Sequence, residues 1–529
     1  MGVGFGRKAK QPKVEGPQEA TPDTNMLIGR HHRPAMIGTL AIVAISSIFL
    51  FATLRKKKKN PKDKRRLSFT SVGLGLGSFP PKSNVKEPII NAAVYFDDNN
   101  CPLAKDVAQM IIKPLLEYER LSHVPDLENR ICRPSSHGGG TINPMDLIRI
   151  LAIKGDEKLT NETILEHCQD CLGEGRGDLP WWEILIIRNS GSGPSACVVR
   201  IHHVIGDGLA LVAAFDKILT NEDGAPLRSR AFRSSASSGL DNIIKKKKAN
   251  MLSTIWSLVQ ATGHVLTLRA TKYDDDTLFS KMNHSKMKHS GKREAVIFPT
   301  VPLGFVKNLK SAAGVTVNDI LMTAVSQAIH DYCESRGDEV LAAKGNSIQC
   351  RGLLPVGFPR SEDVLNDKYA AMRNIWCMVS CDMGVGYSDI KDRLNHVHAK
   401  TMEMKEKPRA FMQLQVQNNL GPYIPVSVGQ QTVFDTFSRH SLVLTNVPGP
   451  SNKVLFAGKK VKSVQLFFDN LLTQVDLISY AGEVYGNMVF DADQLPNSEV
   501  FGQLYLAALV KLAKSLDVKV PPEVGSTLL

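Results

Sequence analysis

Ala196-Cys197-Val198-Val199-Arg200-Ile201-His202-His203-Val204-Ile205-Gly206-Asp207-Gly208-Leu209-Ala210-Leu211-Val212-Ala213-Ala214-Phe215 is the stretch on which the fold turns. Ala196 to Ile201 is apolar and β-branched and reads as a strand; Leu209 to Phe215 reads as the start of a helix. Between them lies H-H-x-x-x-D-G, a spacing that chance gives in about one chain in a thousand of this composition, so it marks a site. A general base needs a pKa near working pH, and histidine has one unperturbed. A carboxylate four residues on, before a helix-breaking glycine, can fix the turn that presents the base. His202, His203, Asp207 and Gly208 are therefore the candidate catalytic residues. The plainer alternative is two histidines closing a strand ahead of an Asp-Gly turn. The strand–turn–helix setting favours the catalytic reading, because rigid elements commonly present catalytic groups on short loops.

Outward from the motif, the pattern is α/β. Ala92 to Phe96 and Glu183 to Arg188 read as strands, Asp106 to Leu116 as a helix, and Asn189-Ser190-Gly191-Ser192-Gly193 as a hairpin-like turn. In the second half, Glu294 to Phe298 is a strand. Thr316-Val317-Asn318-Asp319 caps a long apolar helix from Ile320 to Cys333, with Asn318 or Asp319 able to serve as a plain N-cap. Leu442 to Pro450 is a strand that ends in the rigid turn Val447-Pro448-Gly449-Pro450. Leu477 to Gly482 with Val484 to Phe490 is a hairpin, and Val500 to Leu516 a closing helix.

At 529 residues the chain exceeds one ordinary core. Its 43% hydrophobic and 22% charged content is that of a globular protein. Residues 1–34 read as a disordered tail. Residues 35–54 are uncharged, and about 20 helical residues span roughly 30 Å, a bilayer core, so they read as a single transmembrane anchor. The basic run Arg55 to Lys59, with Lys62, Lys64, Arg65 and Arg66, puts the catalytic lobes in the cytosol by charge asymmetry. Residues 55–90 read as a basic and Gly/Pro linker, 91–220 as an N-terminal lobe, 221–292 as an interdomain connection with an amphipathic helix, and 293–529 as a C-terminal lobe. The net charge of +13 sits largely in runs without interleaved aromatics, which suits an anionic membrane and not nucleic acid. The nine scattered cysteines fit free thiols in a reducing compartment. Cys168-Gln169-Asp170-Cys171 has no second pair at zinc-site spacing.

With these motifs in place, the chain resembles the wax ester synthase/acyl-CoA:diacylglycerol acyltransferase family, within the superfamily of chloramphenicol-acetyltransferase-like, CoA-dependent acyltransferases. The resemblance covers roughly residues 90–515. It rests on His202-His203 to Asp207-Gly208, Thr316 to Asp319, Thr445-Asn446-Val447-Pro448-Gly449-Pro450 and Ser479-Tyr480-Ala481-Gly482. Leu179-Pro180-Trp181-Trp182 departs from the family's Pro-Leu-Trp. The resemblance implies two α/β lobes with a channel between them, and His203 as general base for direct acyl transfer from acyl-CoA to a lipid alcohol. It implies Asp207 turned away from substrate to hold the turn, and His202 structural. Asn318, Asp319, Thr445 and Asn446 are the candidate substrate-binding or oxyanion residues. No metal or organic cofactor is expected, since acyl-CoA is a substrate. The expected acceptors are diacylglycerol and long-chain alcohol, and the expected place is the endoplasmic reticulum membrane or a lipid-droplet surface. A catalytically inactive lipid-binding or scaffold protein, or an acyltransferase with another alcohol acceptor, are the alternatives.

Overall fold

The computed structural model describes residues 66–77, 79, 87–97, 100–153, 159, 161–173, 176–189, 194–227, 259–260, 263, 271–280 and 290–527. The strands of two main sheets are β1 (Ile89–Phe96), β2 (Ile148–Ile153), β3 (Trp182–Asn189), β4 (Ser195–His202), β5 (Arg293–Pro302), β6 (Arg351–Gly357), β7 (Trp376–Asp382), β8 (Leu442–Pro448), β9 (Ser463–Phe468), β10 (Thr473–Tyr480) and β11 (Glu483–Asp491). One sheet runs β9-β1-β4-β3-β2 and the other β7-β6-β8-β10-β11-β5. The helices that matter below are α1 (Phe69–Gly75), α2 (Gly208–Ile218), α3 (Val317–Glu334), α4 (Ile390–Glu406) and α5 (Phe501–Ser515).

β4 is buried along its whole length, with β1 and β3 antiparallel on either side. That is why its sequence is a continuous apolar run and not an alternation. Its one charge, Arg200, is ion-paired to Glu183 and hydrogen-bonded to Asn91 at 3.3 Å. The N-terminal core packs Phe96, Ile184, Val199 and Ile201 against Ile111 and Val204. The C-terminal core lies between the second sheet and two helices, with Phe298 and Met488 against Ile320 and Ala324 of α3 and Leu509 of α5.

Four sequence expectations change here. The second half of the chain does not stay in its own lobe: β9 pairs with β1 and completes the first sheet, Phe468 opposite Ile90. The stretch expected as a linker up to residue 90 contains α1, capped by the Ser68 hydroxyl accepting from the Ser71 amide at 3.1 Å. Glycines explain that helix. A Cβ on Gly421 would sit 2.3 Å from the Phe69 ring, and one on Gly75 would sit 2.4 Å from Leu127, so small residues let α1 lie flat on its neighbours. At α3 the cap is Thr316, neither Asn318 nor Asp319. Thr316 and Asp319 form a reciprocal capping box, each side chain accepting from the other's backbone N–H. Gly208 opens α2 instead of breaking a helix. The anchor expected at residues 35–54 and nearly all of the amphipathic segment from Met251 lie outside the described residues. Among the described residues, no helix is long and apolar enough to cross a membrane.

The Thr445–Pro450 and Ser479–Gly482 motifs fold onto each other. The Gly449 amide donates to the Ser479 carbonyl at 3.0 Å and the Ala481 amide to that of Pro450 at 2.9 Å. A Cβ on Gly449 would come within 2.3 Å of the Ser479 carbonyl oxygen, so only glycine fits. Tyr480 locks the same corner, its hydroxyl accepting from the Val454 amide (3.1 Å) and donating to the Val461 carbonyl (3.0 Å). Tyr480→Phe strands a buried amide, and the expected cost is about 1–3 kcal/mol. Denaturant unfolding checks it; an unchanged midpoint would remove Tyr480 from this role.

Candidate active site

β4 ends at His202, and the next five residues turn back into α2. Asp207 is the N-cap of that helix, its Oδ1 accepting from the Ala210 amide at 2.9 Å. Its Oδ2 accepts from the Ile375 amide at 2.8 Å and from the Arg360 guanidinium at 2.6 Å. The carboxylate is thus spent on structure, as expected of a residue that holds the turn. Arg120, fully buried, donates to the carbonyls of Val204 and Ile205 at 3.4 and 3.2 Å. Gly206 is the glycine that sterics demand: a Cβ there would lie 2.9 Å from the Met372 carbonyl oxygen. At Gly208 a Cβ would meet no protein atom.

The two histidines differ in kind. His202 is fully buried, Trp181 stands edge-on to its ring, and its Nδ1 accepts from the Val204 amide at 3.1 Å. Burial, with His203 beside it, pushes its pKa down to about 3, so it stays neutral. His203 lies on the wall of a cavity of about 1720 Å³ between the lobes. Its Nδ1 is 3.1 Å from Asn374 Oδ1. The orientation of that amide is fixed, because its Nδ2 donates to the His203 carbonyl at 2.7 Å and to the Ser71 hydroxyl at 3.0 Å. An amide oxygen only accepts, so Nδ1 carries the proton and the Nε2 lone pair is the basic site. Burial lowers the His203 pKa below its ordinary value, partly offset by the Asp207 charge, its own carbonyl and Asn374. The imidazole is therefore neutral at pH 7.

Asn318, Thr445 and Asn446 come together on the second lobe's side of the same cavity. Asn446 donates to Asn318 at 2.6 Å. Asp319 does not join them. Fully buried behind the α3 terminus, it accepts from the Thr316 amide (2.9 Å), the Thr401 hydroxyl (2.6 Å) and His398 (2.8 Å), which joins α3 to α4. Asn374, Arg360, Arg120 and Ser71 were not found by sequence reasoning. Each acts on the motif from more than 80 positions away, or lies in a stretch that reads as linker. Local patterning carries no signal for such pairings.

The chain has known relatives. The family description "Wax ester synthase/diacylglycerol acyltransferase catalytic domain" matches residues 176–321, and "WS/DGAT C-terminal domain" matches residues 373–512, together more than half of the chain. The chain belongs to the wax ester synthase/diacylglycerol acyltransferase family. Among family members, wax ester synthase/diacylglycerol acyltransferase 5 of Arabidopsis thaliana is 28% identical over 183 residues, 32% of this chain and 35% of that protein. A Mycobacterium tuberculosis protein named "Probable diacyglycerol O-acyltransferase" is 24% identical over 327 residues, 53% of this chain and 61% of that one. The matched part thus spans about a third to three-fifths of these curated relatives. The wax ester synthase/diacylglycerol acyltransferase structure from Marinobacter aquaeolei VT8 superposes with a TM-score of 0.55 at 16% identity, covering 86% of this chain and 100% of that one. Trichothecene 15-O-acetyltransferase from Fusarium sporotrichioides gives 0.52 at 10% identity, covering 87% and 97%. These likenesses show the fold: a two-lobed α/β architecture shared with these two structures.

The Asp207–Arg360 pair is the motif's main restraint. Asp207→Asn leaves a buried guanidinium uncompensated and is expected to cost about 3–5 kcal/mol, as is Arg360→Met. The double variant should lose clearly less than the sum of the two. A double-mutant cycle in denaturant measures this; simple additivity would mean that the pair is not coupled.

Proposed function

We propose that this protein is an acyl-CoA-dependent O-acyltransferase that moves a long-chain acyl group onto a lipid alcohol, diacylglycerol or a fatty alcohol. The observation that carries the reading is His203: a neutral imidazole whose Nδ1–H is held by Asn374, standing on the wall of a largely apolar cavity. The cavity is well above the roughly 300–1,000 Å³ of ordinary small-molecule pockets, a size that suits lipid chains.

In this reading His203 Nε2 takes the proton of the acceptor hydroxyl as its oxygen attacks the thioester carbonyl carbon. The tetrahedral intermediate collapses, the C–S bond breaks, and the proton passes from the imidazolium to the CoA thiolate. The Asp207 charge favours the transient imidazolium, and Asn374 keeps the ring in the productive tautomer. General base catalysis supplies about 10²–10⁴ in rate, so His203→Ala is expected to lose at least about a hundredfold while remaining folded. His202→Ala should act mainly through stability. Because the base must be neutral, activity falls as pH drops through the His203 pKa, which lies below 6.5. Asn374→Asp places a negative charge on Nδ1–H and should move that acid limb upward. A pH–rate series on the three variants decides; equal, near-wild-type rates for His202→Ala and His203→Ala would end the assignment. Labelled palmitoyl-CoA offered with hexadecanol or dioleoylglycerol identifies the product. No product with either acceptor would favour an inactive lipid-binding protein.

The proposal includes a single-pass anchor at residues 35–54 with cytosolic lobes, supported by the apolar length and the basic cluster that follows it. Both acceptors dissolve in membranes, and anchoring confines the search to the plane where they are concentrated. Deleting residues 1–60 should release the protein from membranes and leave activity on detergent-dispersed acceptor. Deleting residues 1–77 removes α1, and with it the Ser71 contact to Asn374, and should abolish activity. Membrane flotation with parallel assays distinguishes the two.

A further inference from the structure

Across the cavity from the histidine motif, three polar side chains stand on one face of the second sheet. Thr445 on β8 and Asp476 on β10 are register partners on parallel strands, and Gln474 lies two residues before Asp476 on the same face. All three line the cavity. Gln474 is fully committed: its Oε1 accepts from Asn470 at 3.0 Å, and its Nε2 donates to Thr445 Oγ1 at 3.0 Å and to Asp476 Oδ1 at 2.7 Å. Asp476 is only 3% exposed, and its Oδ2 has no hydrogen-bond partner among the described residues. A buried carboxyl oxygen without a partner, on a residue that lines a cavity, is costly unless a proton and a ligand meet it. β10 follows β9, whose last residue, Phe468, places its ring edge-on to the His203 ring at 6.1 Å.

We infer that Asp476, oriented by Gln474, donates a hydrogen bond from its carboxyl O–H to a carbonyl oxygen of the lipid substrate, beside the Thr445 hydroxyl. Thr445 Oγ1 already accepts from Gln474, so its own hydrogen is left to donate, and the two groups make a donor pair. This deepens the acyltransferase reading and rests on it. The carbonyl belongs either to the thioester of acyl-CoA, where the bond would strengthen as negative charge develops on oxygen, or to an ester of diacylglycerol.

Chemistry supports the protonated state. Burial raises the Asp476 pKa to about 7, with the Gln474 amide and the Phe468 backbone amide working in the opposite direction. β8 and β9 bring no ionisable side chain to it. Tyr480 is on its own strand, Glu483, Tyr485 and Asp491 are on β11, Asp469 after β9 is paired with Arg293, and His203 lies on the opposite wall. The donor is thus present below about pH 7 and lost above it, where the carboxylate would repel a carbonyl oxygen.

The test uses three forms of the full chain. Asparagine copies the protonated carboxyl, accepting from Gln474 and donating from Nδ2 at every pH, so the alkaline limb expected of the wild type near pH 7 should be absent in Asp476→Asn. Asp476→Leu removes the donor. A fall in kcat of about a hundredfold with hexadecanol and dioleoylglycerol alike assigns the bond to the thioester carbonyl. A raised KM for dioleoylglycerol alone assigns it to the acceptor ester. An alkaline limb unchanged in Asp476→Asn, or wild-type rates for Asp476→Leu with both acceptors, overturns the inference. Infrared difference spectra between wild type and Asp476→Asn read the protonated carboxyl directly, whatever the enzyme's activity. Their carboxylic-acid band should be present at about pH 6 and gone at about pH 9, and its absence at both overturns the inference. Lack of product from the wild type, with that band present, would instead count against the acyltransferase reading alone.

Discussion

Asp207 is a charge taken out of water, and the loop between β4 and α2 has its shape because that charge must be met. Two backbone amides and one guanidinium meet it, and they come from three parts of the chain: the first turn of α2, Ile375 at the approach to β7, and Arg360 after β6. The loop cannot relax without breaking all three. His203 then inherits its position, since its carbonyl and its Nδ1 are both tied to Asn374, the residue next to Ile375. The imidazole is presented from the first lobe but aligned by the second.

Desolvation is the second theme. Withdrawal of water keeps His203 and His202 neutral and raises the pKa of the Asp476 carboxyl, all for the same reason: burial penalises the charged form. One environment thereby shifts titratable groups on both sides of the cavity toward their neutral forms. The polar groups that line it are few and fixed by partners behind them, which limits reorganisation when charge moves.

Much of the fold could be read from local pattern. The buried run at Ala196–Ile201, the α3 stretch and the Ser479–Gly482 hairpin each carry their periodicity or turn chemistry within a dozen residues. The candidate site was legible to the same extent. His203, Asp207, Asn318, Thr445 and Asn446 belong to short motifs, and the structure gathers them around one cavity. Asp319 was misread as a binding residue because a capping-box carboxylate and a ligand-facing one look alike in sequence. α1 was missed because Gly73 and Gly75 are helix-poor, and only packing on Leu127 and Gly421 rescues them. Arg120, Arg360 and Asn374 act on backbone carbonyls or charges remote in the chain, and nothing in their neighbours announces this.

The route of β9 has a consequence for how the chain is made. The edge of the first sheet is left open at β1 until residues 463–468 arrive. During synthesis the first sheet, once β4 has paired with β1, therefore keeps an unpaired, apolar strand edge while some 260 further residues follow, about 13–50 s at ordinary elongation rates. Such an edge is a template for pairing with another chain. The two lobes, though separate in outline, cannot ripen one after the other. The first is finished by nearly the last strand of the second, so nascent chains of this protein form a class that needs shielding until translation is almost complete.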